Sequence, residues 1–116
     1  MQYALLIYNP DDDVADQAQR PIDPGIAAVL ARRDVTGWIR LHAPGSATTV
    51  SHQEDRMLLT DGPFVDSKEV LGGLVLVEAD NLDGALAVAA ELAELRPSRV
   101  VAIEVRPVRG EEISGA

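Results

Sequence analysis

The sequence has 116 residues and a mass of 12.4 kDa, with 47% apolar and 25% charged residues, figures that fit one compact domain and exclude a disordered or fibrous chain. Ten basic residues against nineteen acidic ones leave a formal charge of −9 and a pI near 4.5, a surface that repels nucleic acid and anionic lipid alike. Cysteine is absent, so disulfides, zinc knuckles and thiol nucleophiles are excluded together.

Residues 3–8 (YALLIY) form a short, nearly continuous apolar run closed by Asn9 and Pro10, which reads as a strand buried mid-sheet. Residues 11–20 lack periodicity and open on Asp11, Asp12 and Asp13. Consecutive carboxylates splay apart, so this is a solvated loop and not a cation site. Asp23 before Pro24 is a helix start, an acceptor for free amides followed by a residue whose missing N–H costs nothing in the first turn. Ile26, Val29, Leu30 and Arg33 keep helical spacing, and Gly37 is expected to stop the helix.

Residues 38–42 (WIRLH) predict a second strand, broken by Ala43, Pro44, Gly45 and Ser46. Residues 48–52 (TTVSH) and 56–60 (RMLLT) flank a polar Gln53, Glu54, Asp55 turn, a β-hairpin signal. After Gly72 and Gly73, residues 74–78 (LVLVE) predict the next strand. Asn81 or Asp80 caps a second helix whose apolar stripe is Leu82, Ala85, Leu86, Ala89, Leu92 and Ala93, ending before Pro97. Residues 99–106 (RVVAIEVR) alternate in polarity and close on Pro107, so they form a half-exposed last strand. Residues 1–108 are thus one domain and residues 109–116 a frayed tail.

The order β, α, β, hairpin, β, α, β predicts an α+β fold, a ferredoxin-like sandwich with an inserted β-hairpin. Two helices cover one face of such a sheet, and strands as apolar as LVLVE call for a second copy over the other, making a homodimer. The longest apolar runs fall far short of a membrane span, and no basic-then-apolar leader opens the sequence, so a soluble cytoplasmic protein is expected.

Residues 60–73 (TDGPFVDSKEVLGG) resemble the signature of the DGPF-domain branch of the YCII-related proteins. The likeness extends to the YALLIY strand, to Ala47-Thr48-Thr49-Val50 entering the hairpin, to Asn81-Leu82-Asp83 opening the last helix and to Val105-Arg106-Pro107-Val108. Asp66 and Ser67 stand where Glu and Thr are usual, and Ser51 stands where an Arg is usual. The resemblance implies a ferredoxin-like fold that dimerises through its sheets into a dimeric α/β barrel, with a cleft lined in part by the signature. It also implies likeness in fold to muconolactone isomerase, a possible His and Asp acid–base pair, and for the DGPF branch a setting beside extracytoplasmic-function sigma factors.

The residues of the signature carry two readings each. Asp61 either caps the Gly62-Pro63 turn through nearby amides or serves as a carboxylate at a rigid strand end, the base of an isomerase- or lyase-like proton transfer with His42 as its partner. Phe64 is expected to be an apolar anchor pinning the loop, or else a ring that stacks on a ligand. Lys68 is the sole lysine beside nine arginines; it stands either as a solvated cation or, with Glu69 and Thr49, as a contact for a small anionic metabolite. Gly72 and Gly73 allow a bulge or a close backbone approach. His52 is the other histidine, and the sequence does not choose which of the two faces a cleft. No nucleophile elbow, HExxH motif or phosphate loop occurs, so no metal and no cofactor is expected. The reading is a small dimeric protein that binds a metabolite in a cleft bordered by the DGPF loop, with an acid–base enzyme as its alternative.

Overall fold

The computed structural model describes residues 1–10, 21–65, 67–96 and 99–110. Its elements are β1 (Gln2–Pro10), α1 (Pro24–Leu30), β2 (Val35–Arg40), β3 (Thr48–Gln53), β4 (Arg56–Asp61), β5 (Glu69–Glu78), α2 (Leu82–Leu95) and β6 (Ala102–Pro107), with a short 3₁₀ turn at Pro44–Ser46. Four strands form an antiparallel sheet in the order β2-β5-β1-β6, while β3 and β4 pair in a separate two-stranded ribbon. This is an α+β arrangement compatible with a ferredoxin-like fold.

β1 lies between β5 and β6, which explains why it reads as a continuous apolar run. Tyr3 and Leu5 are buried toward the helices with Val75 and Val77 of β5 and with Val29, Ala85, Val88, Ala89 and Leu92 from α1 and α2. Ala4, Leu6, Leu74 and Leu76 alternate with them and are only half-buried, because neither α1 nor α2 covers the opposite face. Pairing aligns Ile39, Leu74, Leu6 and Glu104 in one row across that face.

Both helices begin as the sequence directs. Asp23 Oδ1 accepts from Gly25 N at 2.9 Å with Pro24 in the first turn, and Asn81 Oδ1 accepts from Gly84 N at 3.1 Å. Two expectations need correction. α1 ends at Leu30, and Gly37 lies inside β2 at an irregularity of register with β5. Val35, Thr36, Trp38 and Ile39 are β-branched or aromatic, and pairing an edge strand satisfies them better than prolonging a helix. On α2 the expected Ala85, Ala89 and Leu92 are buried and Val88 joins them, whereas Leu82 and Leu86 of the expected stripe are exposed. The helix is apolar on more than one side, so its periodicity alone leaves the margins of the buried stripe open.

β5 begins at Glu69, earlier than the Gly-Gly pair. Ile7 pairs with Gly73 but Tyr8 with Leu71, so Gly72 is the extra residue of a bulge within the strand. β6 begins at Ala102, and Val108 N still donates to Gln2 O at 2.9 Å. Arg32 joins the turn after α1 to α2 through Nη1 and Glu91 Oε2 at 2.8 Å. The acidic loop at residues 11–20, Asp66 and the tail at residues 111–116 lie outside the described residues.

Candidate functional site

The ribbon turns through Glu54 and Asp55 alone, both left-handed with φ of 50° and 63°, which is the two-residue geometry that matches strand twist. Its two strands pack chiefly on one another. Val50, Met57 and Leu59 share one face of the ribbon and are exposed there. Asp61 ends β4, exposed, and its carboxylate accepts no hydrogen bond among the described residues. The turn beyond it is held by other groups: Gly62 N donates to Ala47 O at 2.7 Å, Thr49 Oγ1 donates to Gly62 O at 2.7 Å, and Gly62 takes φ of 98°. A left-handed φ of this kind suits glycine alone among common residues.

Phe64 does not pin this loop. It is 79% exposed, because the loop leaves the end of a ribbon that offers little core to enter. Lys68 is exposed and makes no ion pair among the described residues, while Glu69 opens β5 with its backbone N–H donating to Ser67 Oγ at 3.3 Å. His42 lies two residues beyond the end of β2 and His52 lies within β3, both exposed.

A cavity of about 150 Å³ lies elsewhere, between α1, the C-terminal end of α2 and the β2, β5 and β1 strands. Ile7, Ile26, Leu30, Trp38, Val75 and Leu92 give it apolar walls. Trp38 sits on the helix side because its partner in β5 is Val75, a core residue. Asn9, Asp23, Arg40, Arg96 and Arg99 supply its polar groups. Arg40, Arg96, Arg99 and Asp23 are the charged groups of this lining among the described residues.

Asn9 is buried at 6% exposure, and its Nδ2 donates to Arg99 O at 2.5 Å, fixing the start of the segment that leads into β6. Arg96 ends α2 with its side chain 27% exposed, and Nη1 lies 3.9 Å from Asp23 Oδ2. That contact links the end of α2 to the start of α1. Of the signature, Gly72 and Gly73 reach the cavity wall; Asp61, Phe64, Lys68, Glu69, Thr49 and His42 do not line it.

Sequence reading did not single out Arg40, Arg96, Arg99, Asn9 or Trp38. They come from three separate stretches of the chain and share no local motif, so each passes for surface charge or core. The bias of nine arginines to one lysine is the trace that points toward them, since arginine suits partly buried charge and planar anions. Among the described residues no group of three His, Asp or Glu side chains is placed to hold a metal ion. No helix is long and apolar enough to cross a membrane.

The family model of the YCII-related domain matches residues 1–109. An uncharacterized protein, R00369, of Rhizobium meliloti (strain 1021) is 33% identical over 116 residues, covering 93% of this chain and 92% of that protein.

Proposed function

The chain belongs to the YCII-related family, and from that premise we propose that it is a homodimeric binding protein holding a small, mostly apolar metabolite between its helices and its sheet. The observation that carries the reading is the cavity: apolar side chains from five elements wall it beside a few polar groups, which is the usual composition of a small-molecule site. The acid–base reading of Asp61 with His42 draws no support from it, because neither residue lines it. The run TDGPF with its Lys-Glu and Gly-Gly supports placement in the DGPF branch, for which the resemblance implies a regulatory setting beside a sigma factor.

The dimer rests on the sheet. Leu6, Leu74, Leu76 and Ile39 lie on the face opposite α1 and α2, and a second copy laid there forms the dimeric α/β barrel. Stable pairs bury more than about 1,200 Å² in total. Light scattering at micromolar concentration should give twice 12.4 kDa; the mass of one chain refutes the dimer.

Trp38 is the sole tryptophan and lines the cavity, so its fluorescence reports occupancy. 1-Hexanol at millimolar concentration should quench or shift this emission in the wild type, and Ile26→Phe, which fills the cavity from α1, should abolish the change. Emission that ignores hexanol in the wild type, or responds equally in Ile26→Phe, refutes the binding reading.

A further inference from the structure

We propose that the cavity selects a small monocarboxylate with an apolar body, whose carboxylate is held by Arg96; this rests on the binding reading above and names its ligand class. Arg96 lines a chamber with apolar walls, and its one charged partner among the described residues is Asp23 at 3.9 Å, beyond hydrogen-bond reach. Asp23 is not free to close that gap. Its Oδ1 already accepts from Gly25 N at 2.9 Å as the cap of α1, which ties the carboxyl group to that helix. A ligand carboxylate carries no such tether, so it can meet the planar guanidinium through two parallel N–H···O bonds.

Size restricts the rest of the ligand. A cavity of about 150 Å³ matches the volume at which apolar protein cavities accept a benzene-sized guest, so the body carries roughly five to eight carbon atoms. Asn9 supplies an independent sign of a ligand. It is 94% buried, Nδ2 is spent on Arg99 O, and Oδ1 accepts no hydrogen bond among the described residues. Buried amide oxygens in folded proteins ordinarily have a donor, and Asn9 is one of the residues that line the cavity.

The test titrates hexanoate and 1-hexanol into the full chain, following Trp38 emission in wild type, Arg96→Gln and Arg96→Lys at fixed ionic strength. A hydrogen-bonded ion pair in a partly buried site is worth roughly a tenfold to hundredfold preference. Hexanoate should therefore bind the wild type at least about tenfold more tightly than hexanol. Arg96→Gln should erase that preference and leave hexanol binding unchanged, and Arg96→Lys should restore part of it. Equal affinity for the two probes in the wild type, or a preference that survives Arg96→Gln, overturns the anchor while leaving the cavity reading in place. A wild type that responds to neither probe overturns both. Should Arg96→Gln lose its helical circular dichroism, Asp23→Asn serves instead: it keeps the cap, removes the competing acid and should tighten hexanoate, and unchanged affinity counts against the proposal.

Discussion

Replacing Gly73 by alanine tests how the sheet edge beside the cavity is assembled. A Cβ at Gly73 would stand 2.9 Å from Ile39 O and 3.9 Å from Arg40 Cα, both backbone atoms of β2. Ordinary contact needs about half an ångström more. Neither side yields easily, because Arg40 is paired with Gly73 in register and Leu41 N donates to Gly72 O at 2.9 Å just beyond. Forcing such an overlap costs about 1–3 kcal/mol, offset by about 0.4–1 kcal/mol from the smaller entropy of the unfolded chain. The net loss is about 1–2 kcal/mol, and at roughly 4 °C per kcal/mol for a domain of this size the melting temperature should fall by about 4–8 °C.

Gly37 supplies the control from the neighbouring strand. A Cβ there meets only Leu76 Cδ1 at 3.9 Å, an ordinary contact, so Gly37→Ala should raise stability by about 0.4–1 kcal/mol. Scanning calorimetry at one fixed protein concentration, supported by urea midpoints with unchanged slope, reads both variants. Opposite signs at two glycines on paired strands are the expected outcome. A Gly73→Ala protein as stable as the wild type, or a Gly37→Ala protein that falls equally far, refutes the steric argument. Because Trp38 and Arg40 line the cavity from the same strand, Gly73→Ala should also weaken hexanol binding.

Three further outcomes can be checked alongside. Glu54→Asn combined with Asp55→Gly replaces two left-handed residues with the pair that this turn prefers; amide exchange in β3 and β4 should slow about fivefold, for a gain of about 1 kcal/mol, and unchanged exchange contradicts it. Asn81→Ala should cost about 0.5–2 kcal/mol in urea denaturation and Asn81→Asp far less, since the cap accepts from Gly84 N; equal losses would show that the acceptor is irrelevant. Asp61→Asn should change stability by less than about 0.5 kcal/mol, whereas Thr49→Val, which removes the bond to Gly62 O, should cost about 1 kcal/mol. The reverse ranking would return the turn to Asp61.

What the sequence determined by itself is local. Asp23-Pro24 and Asn81 start helices because a side-chain oxygen within three residues meets a free amide, and the hairpin is legible from two short runs about a polar turn. The bulge at Gly72 and the contact of Gly73 with β2 follow from the same kind of signal, a missing Cβ. Tertiary structure decided the margins of the buried stripe of α2, where Val88 joins Ala85, Ala89 and Leu92 while Leu82 and Leu86 stay exposed, because several faces of that helix are apolar and only the partner surface breaks the tie. It likewise moved Gly37 from a helix end into an edge strand, since β5 offered hydrogen bonds that a longer α1 could not match. The cavity is the extreme case. Asn9, Trp38, Arg40, Arg96 and Arg99 come from segments far apart in the chain and meet only when β2 pairs with β5 and α1 settles against α2; chain spacing carries no record of such a meeting, because the distances that make a site are set by packing.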